Sequence, residues 1–215
     1  MGHMVAKDIY GSLGEKIDNL TVHTPQTETF HAMLRELYSP EEAELIVRMP
    51  FTLSTLDRIA KVTGRDRKEI EPLLTGLCEK GLVVDLLLGG TYRYMPAPFV
   101  IGIFEFTMMR MGSSDEDVGK YARLFVDYLA GGEFYTANFK DRQQVSVARV
   151  LPHLDHLGDH VEILDYEKVD RVIEEAEYFS LSNCSCRHKK HHAGGEVCKV
   201  PLETCTSFGK SADYL

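Results

Sequence analysis

The sequence predicts an α+β protein that is mainly α-helical, and three observations carry this prediction. Several segments place apolar residues at helical spacing directly after capping residues, which is typical of amphipathic helices. Two β-prone runs flank Gly89-Gly90, which is a strong signal for a hairpin. Four of the five cysteines lie close together near the end of the chain. Thiols grouped in this way indicate a small metal-binding module.

Composition indicates an ordinary folded protein. The chain has 215 residues, of which 44% are hydrophobic, and a net charge of −9. Its longest apolar run, Phe99 to Met111, is interrupted by Glu105 and Arg110 and is too short to cross a bilayer. Because no signal peptide is evident, we expect a cytoplasmic protein with no membrane contact, in which disulfides are disfavoured. Residues 1–3 resemble an expression-tag remnant.

The first predicted helix begins after a weakly patterned segment. Residues 4–38 show little periodicity, and we interpret them as an N-terminal arm lying over the body. Ser39-Pro40-Glu41-Glu42 then forms a capping box with proline at the first helical position. The helix that it opens is predicted to stop before Pro50.

Two further helices follow at once. Ser54 and Asp57 are the capping signals of the first, which Gly64 ends. Asp66 caps the next, which runs to Gly81. Its apolar stripe includes the fifth cysteine, Cys78, which we therefore predict to be buried. Pro72 lies within this helix and predicts either a kink or a later start.

The order of elements indicates a known architecture. After the third helix, Leu82 to Leu88 and Thr91 to Met95 are predicted to pair as a hairpin. Three helices followed by a hairpin is the order of a winged helix-turn-helix, and residues 39–97 resemble that family, also in the phrase Leu77-Cys78-Glu79-Lys80-Gly81-Leu82-Val83. Winged helices serve many functions, so the resemblance implies a fold and not an activity.

DNA binding is an alternative that the charges disfavour. A DNA reader needs cations on its third helix to contact phosphates. The weak candidates are Arg65, Arg67, Lys68 and, at the hairpin tip, Arg93. Neighbouring acids offset them: Asp66, Glu69, Glu71 and Glu79. We therefore favour a winged helix that serves packing or dimerisation, with a homodimer possible.

Residues 98–142 are predicted as a helical segment. Phe99 to Met111 is apolar nearly all round and indicates a central helix, and Ser114 is predicted to cap the next. In residues 143–215, alternation from Val145 predicts a strand, with 161–164 as its partner. A helix from Asp165 is then expected to place Val169, Val172, Ile173 and Ala176 inward.

The C-terminal cysteines are the predicted metal ligands. They are Cys184, Cys186, Cys198 and Cys205. Their pattern is Cys-x-Cys, then eleven residues, then Cys-x6-Cys, which lacks the paired short knuckles of structural zinc sites and the repeat of bacterial ferredoxins. We favour an iron-sulfur cluster from ligand type and spacing. Zinc and metal-free redox thiols remain open.

Basic residues surround these cysteines. Residues 184–215 hold five Lys and Arg against three acids, and cations stabilise an anionic cluster. Arg187, His188 and Lys199 are the candidates for such contacts. Residues 187–197 contain almost nothing apolar, so we predict a loop that is ordered by the metal.

The cysteine segment resembles a module of iron-sulfur proteins from anaerobic prokaryotes. The resemblance rests on three stretches: Cys184-Ser185-Cys186-Arg187-His188, Cys198-Lys199-Val200-Pro201-Leu202-Glu203-Thr204-Cys205-Thr206-Ser207-Phe208-Gly209 and Ala212-Asp213-Tyr214-Leu215. It implies a ferredoxin-like 4Fe-4S cluster, electron transfer or redox sensing, and a redox protein as partner. Members often carry a winged helix before the cysteines and ferredoxin-type repeats after them. Those repeats are absent here, which indicates a truncated chain or a short member.

Two alternatives to this function stay open. One is a transcription regulator with the metal as its sensor, and the other is a zinc-stabilised interaction module. Catalysis has little support, because the sequence has no Gly-rich phosphate loop, nucleophile elbow or Walker-type lysine. We expect an electron-transfer or binding protein rather than an enzyme.

Overall fold

The computed structural model describes residues 9–111, 117–138, 169–195, 199–209 and 212. These ranges form a mixed α/β structure that is mainly helical, as the sequence predicts. The helices are α1 (Ile9–Asp18), α2 (Glu28–Leu37), α3 (Pro40–Arg48), α4 (Leu56–Thr63), α5 (Arg67–Glu79), α6 (Phe104–Arg110), α7 (Val118–Ala130), α8 (Glu133–Asn138), α9 (Val169–Glu174) and α10 (Ser185–His192). The strands are β1 (Ser54–Thr55), β2 (Val83–Leu88), β3 (Thr91–Pro96), β4 (Phe179–Asn183) and β5 (Glu203–Phe208). None of the helices in these ranges has the length and apolar content that a membrane span requires.

The N-terminal residues form helices and not the arm that we predicted. Leu13 and Ile17 of α1 are buried in the core, together with Phe30 of α2. Thr27 caps α2, where its side chain accepts a hydrogen bond from the Phe30 N–H. Gly11 and Gly14 obscure the periodicity of α1, and its helical state depends on packing rather than on propensity.

Helices α3 to α5 confirm the three helices predicted after residue 39. The Ser39 hydroxyl accepts from the Glu42 N–H while the Glu42 carboxylate accepts from the Ser39 N–H, which completes the predicted capping box. Thr55, rather than the predicted Ser54, caps α4, where its hydroxyl accepts a hydrogen bond from the Arg58 N–H. Helix α5 continues through Pro72. Cys78 is buried in the core, as predicted.

The predicted hairpin is present and extends into a three-stranded antiparallel sheet. Strand β3 lies between β1 and β2, with Leu88 opposite Thr91 and Ser54 opposite Tyr94. Gly89 and Gly90 both have positive φ, as a two-residue hairpin turn requires. The loop into β2 passes close to α6, so the sheet is tied to the middle of the chain.

The predicted central helix is broken near its start. Val100, Ile101 and Gly102 have non-helical dihedral angles, so the regular helix begins only at Phe104. The segment is nevertheless central, as predicted from its composition. Phe99 lies in an aromatic cluster with Phe30, Phe125, Tyr128 and Phe134.

The last part of the chain departs most from prediction. Within the described residues, helix α9 spans Val169–Glu174; none of these residues is buried, and Ile173 is exposed. The inward position predicted for Ile173 is therefore wrong, whereas Val169, Val172 and Ala176 are half-buried. The predicted strands near Val145 and at 161–164, the start of the helix at Asp165 and the Ser114 cap lie outside the described residues.

Candidate metal centre

The candidate site is built on a two-stranded ribbon with a helix inserted between its strands. Strands β4 and β5 are antiparallel, with Phe179 opposite Phe208 and Ser182 opposite Cys205. An irregularity between Ser182 and Asn183 bends the ribbon where it meets α10. The sequence predicted neither the ribbon nor the helix, since it has no hairpin turn and few apolar residues here.

The apolar face of the ribbon is exposed to solvent, whereas its polar face is the more buried one. Alternation along the strands places Ser180, Ser182 and Cys205 on one face and Phe179 and Leu181 on the other. The aromatic and aliphatic side chains are the exposed ones, at 54% for Phe179 and 65% for Leu181. The polar face is the covered one, and the Ser180 hydroxyl oxygen is buried without a hydrogen-bond partner in the described structure.

Three of the predicted ligands come together at this ribbon. Cys184 is the N-cap of α10, and its N–H donates to the Leu202 carbonyl at 2.8 Å, which joins the helix start to the strand before Cys205. Cys186 follows in the first helical turn. Burial raises the pKa of the Cys205 thiol, and the neighbouring Cys184 and Cys186 raise it further. The three thiols are therefore electrostatic neighbours.

The residues around the cysteines form a helix where we predicted a metal-ordered loop. Helix α10 spans Ser185–His192, and its buried residues Ser185 and His188 pack it against α6 and α7. A helix N-terminus carries partial positive charge, and Cys184 and Cys186 lie at that end of α10. This burial depends on α6 and α7, which are distant in sequence.

The three residues predicted to contact the cluster, Arg187, His188 and Lys199, differ in their surroundings. Arg187 donates to the Thr204 hydroxyl, next to Cys205 in β5. Lys199 is exposed. His188 is fully buried, and its Nδ1 lies 2.7 Å from the Met108 carbonyl oxygen of α6, so it anchors α10 to α6.

Glu105 is a site residue that the sequence reasoning did not select. Burial raises its pKa, and its carboxylate accepts from the Gly102 N–H at 2.9 Å. It is also near enough to Cys205 to raise the pKa of that thiol. A carboxylate inside the apolar run 99–111 was the available signal, since acidic side chains are rarely buried.

The fourth predicted ligand, Cys198, lies outside the described residues. In the described ranges, which leave it out, no three His, Cys, Asp or Glu side chains are arranged to hold a metal ion. Cys78, Cys184, Cys186 and Cys205 are all free thiols. Cys78 lies in α5, and burial and Asp85 raise its pKa to about 12.

The weak DNA-binding candidates lie on α5 and the hairpin. Arg65 pairs with Glu41 at 2.5 Å, and Arg67 pairs with Asp57 at 2.9 Å. Lys68 and Arg93 are exposed. Two of the four candidate cations are thus already engaged with carboxylates of the same chain.

The chain matches none of the protein-family models, curated proteins or solved structures with which it was compared. Its function is therefore inferred from the site itself.

Proposed function

We propose that this protein binds a 4Fe-4S cluster through Cys184, Cys186, Cys198 and Cys205, and that it acts in electron transfer or redox sensing. The observation that carries the proposal is that Cys184 and Cys186, at the start of α10, lie near enough to Cys205 of β5 to raise the pKa of its thiol. Iron-sulfur clusters are held by four thiolates, and the fourth is the sequence-predicted Cys198.

The surroundings fit an anionic cluster. The N-terminus of α10 and Arg187 supply positive charge beside the thiols. The buried Ser180 hydroxyl lies on the same ribbon face as Cys205 and has no partner among the described residues, so it is available to donate to a cluster sulfur. When bound, the cluster supplies a one-electron redox couple whose potential such hydrogen bonds and charges tune.

The body of the protein is, in this proposal, a winged helix that serves packing or dimerisation. This part of the proposal is supported by the order of elements along the chain: α3, α4 and α5 are followed by the β2–β3 hairpin, and β1 completes the sheet. The ion pairs of Arg65 and Arg67 disfavour DNA binding, because these arginines would have to break the pairs in order to contact phosphates.

The test is anaerobic purification followed by iron, sulfide and zinc analysis. We expect about four iron and four sulfide per chain in the wild type and their loss on changing any one of the four cysteines to Ser. Cys78→Ser is the matched control and should keep the full content, because that thiol is buried in the core.

Three outcomes would contradict the proposal in different ways. Stoichiometric zinc without sulfide would indicate the zinc-stabilised interaction module. Full metal content after Cys205→Ser would remove that residue from the site. Absence of any bound metal from anaerobically prepared protein would leave redox thiols as the function of the group.

A further inference from the structure

Helix α10 carries a second group of metal-ligating side chains on its buried face. His188 and His192 lie one helical turn apart, and their rings are 4.7 Å apart at an interplanar angle of 73°. Cys186 is exposed whereas His188 is fully buried, so the cysteine and the histidine lie on different faces of the helix. Cys184, the N-cap, lies one helical turn before His188, and the histidine pair extends from there toward the C-terminal end of α10.

The protonation of His188 follows from its hydrogen bond. Its Nδ1 lies 2.7 Å from the Met108 carbonyl oxygen, which can only accept, so Nδ1 carries the proton. The other ring nitrogen, Nε2, then has a free lone pair. A histidine that binds a metal is ordinarily oriented by this kind of bond from its other nitrogen to a backbone carbonyl.

The Nε2 atoms of the two histidines lack hydrogen-bond partners among the described residues. The Nε2 atoms of His188 and His192 are buried and make no hydrogen bond in the described structure. Buried polar atoms are normally satisfied, so two orphaned nitrogens in adjacent rings indicate a missing ligand. Burial and the neighbouring imidazoles also lower the pKa of His192, which favours its neutral form.

We propose that His188 and His192 bind a divalent transition-metal ion such as Zn²⁺ or Ni²⁺ through their Nε2 atoms. Two histidines four residues apart on one helix face are a recurrent metal-binding arrangement, and imidazole suits these metals. The described residues provide no third protein ligand, so water or an exogenous ligand completes the coordination.

The test is a Co²⁺ titration of the full chain after its cysteine site has been loaded. We expect a single additional cobalt ion per chain, with d–d bands but without the charge-transfer band that thiolate ligands produce. His192→Ala should weaken this binding by about tenfold or more. His191→Ala is the matched control, because His191 is exposed on the same helix, and it should leave the affinity unchanged.

Two further measurements separate this proposal from the proposed function and from misfolding. The Cys184→Ser, Cys205→Ser double variant should still bind the nitrogen-ligated cobalt, even if it binds no cluster. Circular dichroism should show unchanged helix content in His192→Ala. Cobalt that binds only with a thiolate band, that is unaffected by His192→Ala, or that does not bind beyond the cysteine site would overturn the two-histidine site.

Discussion

Glu42 illustrates how a single buried carboxylate is held in the body. Its side chain accepts from the Ser39 N–H and from Lys80 Nζ at 2.7 and 2.9 Å. Burial alone would raise the pKa of Glu42, but the bonds from Lys80 and Ser39 outweigh it and lower the pKa overall. One residue thus joins the start of α3 to the end of α5.

We predict that Glu42→Gln lowers the free energy of unfolding by about 1 kcal/mol at pH 7, a value reduced by the solvent exposure of Lys80. Because the pKa is lowered on folding, this contribution is present above the unfolded-state pKa and is lost as the pH falls through the folded-state value. Urea unfolding at neutral and acidic pH should show the difference between wild type and variant disappear in acid.

Glu44→Gln is the control on the same helix, because Glu44 pairs with Arg48 at the surface. It should change stability by less than about 0.5 kcal/mol. Equal losses in the two variants, or a Glu42 effect that persists in acid, would contradict the assigned role.

Cys78 and the site cysteines should differ in reactivity. Burial and Asp85 raise the pKa of Cys78 to about 12, so its thiol stays protonated near neutral pH. In folded, metal-free protein we predict that iodoacetamide modifies the exposed Cys186 well before Cys78, as peptide mass mapping would show. Faster labelling of Cys78 would mean that α5 opens readily.

At the scale of elements, Gly81 determines how closely the hairpin approaches α6. Its φ is +77°, and a Cβ placed there would lie 2.6 Å from the Phe106 Cβ. Gly89, in the hairpin turn, has a φ of +59° but no atom within 4 Å of such a Cβ. Both glycines have positive φ, but only at Gly81 would an added Cβ meet a neighbouring residue.

We therefore predict that Gly81→Ala destabilises the protein by about 1–3 kcal/mol more than Gly89→Ala, because only the first displaces α6. Thermal or urea unfolding of both variants measures the difference. Equal effects would show that backbone strain alone matters at Gly81 and that α6 adjusts freely.

Helix α5 is the element on which the regulator alternative depends. With Arg65 and Arg67 engaged by carboxylates, we predict no tight duplex binding at physiological salt. Fluorescence anisotropy with duplex DNA at varied salt concentration is the measurement. Nanomolar, salt-sensitive binding to a defined sequence that is lost in Arg67→Ala and Lys68→Ala would favour the transcription-regulator function.

At the scale of the whole molecule, α6 connects the body to the candidate metal centre. Arg110 at its end donates to the Cys78 carbonyl of α5, and the Met108 carbonyl receives His188 of α10. Glu105 at its start lies near Cys205. The cysteine ribbon therefore rests on a helix that the body also holds in place.

This arrangement predicts that metal removal affects the ribbon and α10 more than the body. Hydrogen exchange on metal-free protein should accelerate in β4, α10 and β5, whose ribbon exposes its apolar face and covers its polar one, while α3, α4 and α7 keep their protection. Identical exchange with and without metal would mean that packing alone holds the cysteines together.

Local chemistry determined much of this protein from the sequence alone. The capping box at Ser39, the Gly89-Gly90 turn and the buried position of Cys78 follow from residues within one or two turns of each other. The clustering of thiols predicts a metal site from ligand chemistry, and that site stays a prediction. Such signals act over short stretches, so no knowledge of distant residues is needed.

Tertiary contacts decided the remainder. Helix α1 forms because Leu13 and Ile17 reach the core, and α10 forms because its Ser185 and His188 face is covered by α6 and α7. Glu105 became a site residue only when Cys205, far along the chain, was brought near it. These features depend on burial between segments distant in sequence, and burial can override the weak local propensity of a glycine-containing or strongly basic segment.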